Sequence, residues 1–267
     1  MLEYSFMQNA LIAGILISIL CPTVGVFLVL RRYSMMGDTL SHSSLAGIAV
    51  GLIFGFNPLL SAFIFTSICG LLIEFLRNYY KKYAELVMSI ILTFSVGLAI
   101  ILISTGKSTA NVNTYLFGSI LTVTRKDLYI IAILSIISIV VLLFLYNKLV
   151  YITFDEEGAY TSGINVKLIN YLFTLLVGAT IAVSIRIMGI LVISSMIVIP
   201  VATALQLNLG FKKTLMFSIL FGLIDIITGL VSSYYINSAP GGTIALVSVV
   251  VLILVLVFKG SKSSLLK

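Results

Sequence analysis

A chain of 267 residues that is 60% hydrophobic and only 9% charged excludes an ordinary soluble domain. Its net charge of +7 does not mark a nucleic-acid surface, because the basic residues cluster in short stretches between apolar runs. The two cysteines, Cys21 and Cys69, each lie inside an apolar run, so neither a disulfide framework nor a thiolate metal site is expected.

Apolar runs of about 20 residues recur along the chain, each enough to cross about 30 Å of hydrocarbon as a helix. The expected architecture is all-α, a polytopic helical membrane protein with about nine (eight to nine) transmembrane helices in a single domain, 1–267. The spans are placed at about 8–30, 38–54, 59–76, 85–103, 128–146, 168–185, 187–207, 215–235 and 243–258. Residues 115–121 are too short to span and read as a re-entrant or interfacial segment. A long polar loop is expected at about 147–167, and a basic tail, 259–267, closes the chain.

An odd number of spans puts the two ends on opposite sides. With the N-terminus outside, the inner loops hold Arg31, Arg32, Arg77, Lys81, Lys82, Lys148, Lys167, Lys212, Lys213, Lys259, Lys262 and Lys267. The outer ones hold Lys107, Arg125, Lys126 and Arg186. Basic residues favour the inner side, so this orientation, with a cytoplasmic C-terminus, is the expected one. The N-terminus has no basic region of the kind that starts a removable signal peptide.

The second span carries the single histidine, His42, with Asp38 four residues before it. On a helix these two share a face, and a carboxylate oxygen with an imidazole nitrogen makes two arms of a site for zinc and similar ions. The bland alternative is an N-cap aspartate and a hydrogen-bonded interfacial histidine. Ser43, Gly47, Gly51 and Gly55 put a small residue at every fourth position of the same helix, a face suited to close packing. A polar pair beside a tight helix contact fits a translocation path better than a lipid-facing surface.

The second strong signal is the loop from Phe154 to Ile164, with Asp155, Glu156, Glu157, Gly158 and Gly163. It starts acidic and is expected to form a short helix stopped by Gly163. Its functional reading is a docking helix for a cytoplasmic motor protein; its plain reading is a solvated loop. Asp225, in the middle of the eighth span, is a candidate ligand or proton carrier, unless Ser218, Thr228 or Ser232 satisfies it. Glu74 and Glu85 lie at span ends, where they are expected to reach water and act structurally. Pro200 is expected to kink the seventh span. Residues 234–244 read as an outer turn with Tyr234 and Tyr235 in an aromatic belt. Gly106-Lys107-Ser108-Thr109 imitates the end of a phosphate loop, but the required first glycine is Ile101, so no ATP site is expected. No paired catalytic carboxylates or nucleophile constellation stands out.

These stretches together resemble one family, the permease subunits of bacterial ABC importers for zinc, manganese and iron. The resemblance runs through Leu30–His42 with its Arg31-Arg32 pair and Asp38, through 115–121, 154–163, 194–205 with Pro200, and 233–244. The run Asp38-Thr39-Leu40-Ser41-His42-Ser43-Ser44-Leu45-Ala46-Gly47 is more similar to zinc-type permeases of Gram-positive bacteria, since manganese-type members usually have proline where Ala46 stands. Manganese-type members often carry an acidic residue where Asn237 stands, near the outer mouth.

The resemblance implies a non-catalytic permease in the bacterial cell membrane, embedded in lipid and working as a homodimer. Separate cytoplasmic ABC ATPase subunits would dock on Asp155–Gly163, and an extracellular metal-binding lipoprotein would deliver the ion. Asp38 and His42 would line the path, with zinc (or manganese or iron) as cargo and no permanently bound cofactor. Nucleic acid is not an expected partner. Two rivals stay open beside the choice of metal. An ion-coupled carrier or channel would use Asp225 as a proton relay, although no inverted repeat is visible. An intramembrane zinc enzyme would need three protein ligands and a base, which one histidine hardly supplies.

Overall fold

The computed structural model describes residues 4–80, 83–105, 112–119 and 124–264, with the backbone alone for 84 and 260–264. Among these residues every regular element is a helix: α1 Ser5–Leu30, α2 Ser34–Phe54, α3 Pro58–Tyr79, α4 Ala84–Ser104, α5 Val112–Phe117, α6 Arg125–Phe154, α7 Glu156–Thr161, α8 Val166–Met188, α9 Ile190–Leu205, α10 Phe211–Ile236 and α11 Pro240–Ser264. Each of the nine expected spans falls on one of the nine long helices. Seven of those are long and apolar enough to cross a membrane. α9 is shorter, at 16 residues. α2 has sufficient length, 21 residues, but Asp38, Thr39, His42 and its serines dilute its apolar character. It can afford them because it lies enclosed by α3, α4, α8 and α9 rather than open to lipid.

Lipid tails are as apolar as leucine, so close backbone packing rather than water exclusion must hold such helices together. Small residues supply it. A Cβ on Gly25 of α1 would fall 1.9 Å from the Ile197 carbonyl oxygen of α9. In α10, Gly222 lies under the Pro22 ring of α1, and Gly229 lies under Ile244 of α11. The small-residue face of α2 packs at Ser43, Gly47 and Gly51, while Gly55 is the exposed C-cap at φ 72° with open space around it. A Cβ on Gly47 would stand 2.7 Å from Ala62 Cα and from the Ser61 carbonyl oxygen of α3. Ser43 turns to α4 and shares a 2.9 Å hydrogen bond with Ser95. Gly47→Leu is therefore expected to push α2 off α3 and destabilise the protein by about 1–3 kcal/mol. An unchanged melting temperature of the purified variant in detergent would contradict this contact.

Phe27, fully buried, ties one end of the bundle together. Its ring meets Tyr146 of α6, Phe173 of α8 and Phe211 of α10 at centroid distances of 6.4, 6.0 and 5.7 Å. The end of α1, the start of α2, the end of α3 and α7 all lie at this end. At the opposite end α5 is docked on α8, α9 and α11. There Gly118, Gly189 and Gly241 bring three backbones together; a Cβ on Gly241 would lie 1.9 Å from the Met188 carbonyl oxygen. Arg186 pairs with Asp127 at 3.3 Å and stacks on the Tyr115 ring at 5.0 Å.

Two expectations need correction. The fifth span does not stop at Tyr146, and most of 147–154 is not loop: α6 continues to Phe154. Asn147 and Lys148 fall on its exposed side, while Leu142, Leu145, Leu149 and Ile152 keep an unbroken buried stripe at helical spacing. Glu74 does not reach water as expected. It is 2% exposed and held by Arg77 at 2.9 Å. Glu85 is exposed, as expected. α9 runs through Pro200 as one helix. The Gly106–Thr109 imitation of a phosphate loop lies outside the described residues, as do Lys81, Lys82, Lys107, Lys267 and the last two residues of the 115–121 segment.

Candidate metal path and its coupling end

α2 starts after a tight turn that its flanking residues make. Arg32 takes a left-handed conformation, φ 59°. The Arg32 and Tyr33 amides close back on Val29 and Leu28 at 3.0 and 2.8 Å, which caps the last carbonyls of α1. Asp38 is thus the fifth residue of α2 and not its N-cap, which is Tyr33. At 1.5 Å per residue, Asp38 and His42 lie about 6 and 12 Å into a helix of about 30 Å.

His42 Nε2 stands 3.8 Å from Asp38 Oδ1. That is too long for a hydrogen bond. Two ligands of a tetrahedral ion, each about 2.0 Å from it, would stand about 3.3 Å apart, so a small rotamer change lets both reach one metal. Their side chains are 39% and 27% exposed, whereas Met36, Gly37, Thr39, Leu40, Ser41, Ser43 and Ser44 around them are buried. Met35, Asp38 and His42 therefore form one partly open stripe along the first turns of a helix that is buried on its other faces there. The serines do not turn toward the pair. Ser41 donates to the Gly37 carbonyl at 2.7 Å, Ser43 to Thr39 at 2.9 Å, and Ser44 to the Ser41 carbonyl. Among the described residues no cluster of three or more His, Cys, Asp or Glu could close around an ion. Asp38 and His42 offer two donors, short of the four of a closed tetrahedral site.

Asp225 is elsewhere in the bundle. It is 1% exposed, on the α10 face that carries Gly222 and Gly229, and its Oδ1 has no partner. Ser218 and Thr228 do not serve it; their hydroxyls donate to the Thr214 and Ile224 carbonyls of their own helix at 2.7 and 2.5 Å. Asn237 is exposed at the C-terminus of α10 in a left-handed conformation, φ 54°. Asparagine is one of the few residues that adopt this readily, so the helix end alone accounts for its presence.

The short helix expected after Asp155 is α7. Asp155 Oδ1 accepts from the Gly158 amide at 2.8 Å, and a Cβ on Gly158 would lie 2.1 Å from Asp155 Oδ2, so a side chain there would make the capping carboxylate shift. Glu156 and Glu157 are exposed, and Gly163 ends the turn at φ 80°. Behind α7 stands a set of residues that sequence reasoning missed. Arg31 donates to Thr153 at 3.0 Å, to Asn170 Oδ1 at 2.9 Å and to the Leu149 carbonyl at 3.3 Å, and its guanidinium stacks on Phe173 at 5.3 Å. Asn170 donates to Glu156 at 3.5 Å. The Glu74–Arg77 spacing of three was a readable ion-pair signal; a lone Asn170 early in an apolar run was not.

Nine long helices among the described residues, seven of them able to cross a bilayer, define a polytopic membrane protein. The sequence profile of the ABC 3 transport family matches residues 3–259, and the chain belongs to that family. It is 51% identical over 256 residues to a probable metal transport system membrane protein of Treponema pallidum, covering 96% of both chains. It is 31% identical over 258 residues to the manganese transport system membrane protein MntC of Listeria monocytogenes, covering 97% of this chain and 92% of that one. It is 34% identical over 239 residues to the high-affinity zinc uptake system membrane protein ZnuB of Buchnera aphidicola, covering 89% and 91%. The fold is similar to that of PsaBC from Streptococcus pneumoniae, solved in complex with Fab. The TM-score there is 0.85 and the identity 29%, over 95% of this chain and 91% of that one. The protein is accordingly a multi-pass, non-catalytic membrane component of a transport system.

Proposed function

We propose that the chain is the permease subunit of a bacterial ABC importer for a divalent transition metal, with zinc as the cargo. The observation that carries this reading is the Asp38–His42 pair on the open stripe of α2. An imidazole with a carboxylate holds zinc more tightly than manganese, because nitrogen donors follow the Irving–Williams order and manganese favours all-oxygen sets. Relatives named for metal, manganese and zinc transport support the coarser reading. Ala46 supports zinc through the resemblance described above.

In this reading two copies face each other across the open stripe, and metal delivered outside by a binding lipoprotein enters between them. Two ligands per copy, short of a closed set, let the ion leave again. Cytoplasmic ATPase subunits dock on α7, with Asp155, Glu156, Glu157, Gly158 and Gly163 forming the docking element. Their closure rocks the helices from outward-open to inward-open. The N-terminus then lies outside, and 1–267 is one permease domain. Asp225 is a second candidate polar station, and Asn237 lies near the outer mouth.

The test is radioactive zinc uptake in cells expressing this chain with its candidate ATPase and binding protein. Uptake is expected to require the ATPase and to resist a tenfold excess of unlabelled manganese. Manganese winning that competition would replace the cargo and keep the machine. Uptake without any ATPase would overturn the importer reading in favour of a carrier that uses Asp225.

A further inference from the structure

The end of the bundle that carries α7 contains more buried charge than its packing requires. Glu74 and Asn170 are 2% and 4% exposed, on α3 and α8. Burying a carboxylate and an amide in a helix bundle is costly unless both are fully bonded. Here they are, and the bonds follow one line. Glu156, the first residue of α7, accepts from Asn170 Nδ2 at 3.5 Å. Asn170 Oδ1 accepts from Arg31 at the end of α1 at 2.9 Å. Arg31 opens the tight turn from α1 into α2, where the Arg32 and Tyr33 amides close on Val29 and Leu28. Glu74 holds Arg77 at 2.9 Å, and the Arg77 guanidinium lies 4.3 Å over the ring of Tyr33, the N-cap of α2. Five residues further along α2 is Asp38.

We propose that Asn170 is a positioning residue that couples α7 to the metal-bearing helix, a reading that rests on the importer function proposed above. The amide is suited to this because it donates and accepts at once. It donates to Glu156 and accepts from Arg31, so it ties the first residue of α7 to the residue that opens the α1–α2 turn. Moving α7 lengthens the 3.5 Å contact, the weakest link in the line. Arg31 must then repartner, and through the Arg31–Tyr33 turn the change reaches the base of α2. A junction built only to neutralise buried charge would need the Glu74–Arg77 and Arg31–Glu156 pairings. It would not need a neutral amide whose donor points at the exposed helix.

The test uses the full permease with its ATPase subunits and binding protein in proteoliposomes, and reads zinc ions imported per ATP hydrolysed. Asn170→Asp keeps volume and the Arg31 contact but turns the donor to Glu156 into a repelling acceptor. Glu156→Ala removes the other partner at an exposed site, where folding is not at stake. Both are expected to lower the ratio at least fivefold; ATP hydrolysis is expected to stay within twofold of wild type in Asn170→Asp, whereas Glu156→Ala, in the docking element, is read by the ratio alone, and the double variant is expected to have a ratio no lower than the worse single variant. Uptake and hydrolysis falling in proportion, or a wild-type ratio in both single variants, would overturn the proposal. A second readout does not depend on the cargo. Met35→Cys on the open stripe of α2 is expected to change its maleimide labelling rate at least threefold when ATP binds, and to lose that response with Asn170→Asp or Glu156→Ala. If the wild-type complex moves no metal, the importer reading fails, and this labelling response still decides the coupling.

Discussion

His42→Ala is expected to lower zinc uptake more than about tenfold while leaving protein level and melting temperature near those of the wild type. The second half of that statement matters as much as the first. Among the described residues the polar partner of His42 is Asp38, 3.8 Å away, and both side chains open onto the uncovered stripe of α2. Removing either empties space at a surface rather than opening a cavity in a packed core, so little stability is at stake. Asp38→Ala is expected to lower uptake as much, and the double variant no further, because a site that has lost one of two ligands has lost the ion. ATP hydrolysis by the partner subunits is expected to persist in all three. A His42→Ala permease that imports zinc at the wild-type rate would remove the pair from the path and return the histidine to a structural role.

The largest effect on stability is expected at Gly189, between α8 and α9. Its φ of 74° with ψ of 157° belongs to a region that only glycine occupies without strain. A Cβ there would also stand 2.4 Å from the Gly118 amide nitrogen and from the Leu116 carbonyl oxygen, atoms of another backbone that cannot step aside. Strain and overlap together are expected to cost more than about 3 kcal/mol in Gly189→Ala. Two neighbours separate the causes. Gly163→Ala, at φ 80° with open space around it, carries strain without overlap and is expected to cost about 1 kcal/mol. Gly242→Ala carries neither and is expected to be close to neutral. Melting temperatures of the three purified variants in detergent check the order. A Gly189→Ala protein as stable as Gly242→Ala would contradict the close approach of α5 to the α8–α9 turn.

The helices were legible because the lipid imposes one simple demand, a long apolar run, and seven of the nine long helices among the described residues answer it in full. The end of α6 was not legible, because Asn147 and Lys148 look like a loop in one dimension and only the helical phase shows that they face outward. Burial of Glu74 was hidden for the opposite reason. Position at a span end says that water is near, and only the neighbouring helix decides which way the side chain turns. The Asp38–His42 spacing could be read directly, since four residues on a helix is itself a geometry. The open stripe around the pair could not, because enclosure by α3, α4, α8 and α9 is a property of the whole bundle. Arg31 and Arg32 were read together as topology charges. The structure separates them, binding Arg31 inward to α6 and α8 and leaving Arg32 exposed.

Asp155 ends α6 and begins α7 with no residue between. Its amide still bonds the Tyr151 carbonyl of the first helix, while its carboxylate already caps the second. With no slack of chain at this joint, α7 cannot slide along α6 or travel as a loose tether would. Its far end is joined to α6 as well, through the Tyr151 and Ser162 hydroxyls at 3.0 Å, so the two helices form one stiff corner. A force applied to its far end, near Tyr160, is then delivered at its near end, where Glu156 meets the bundle.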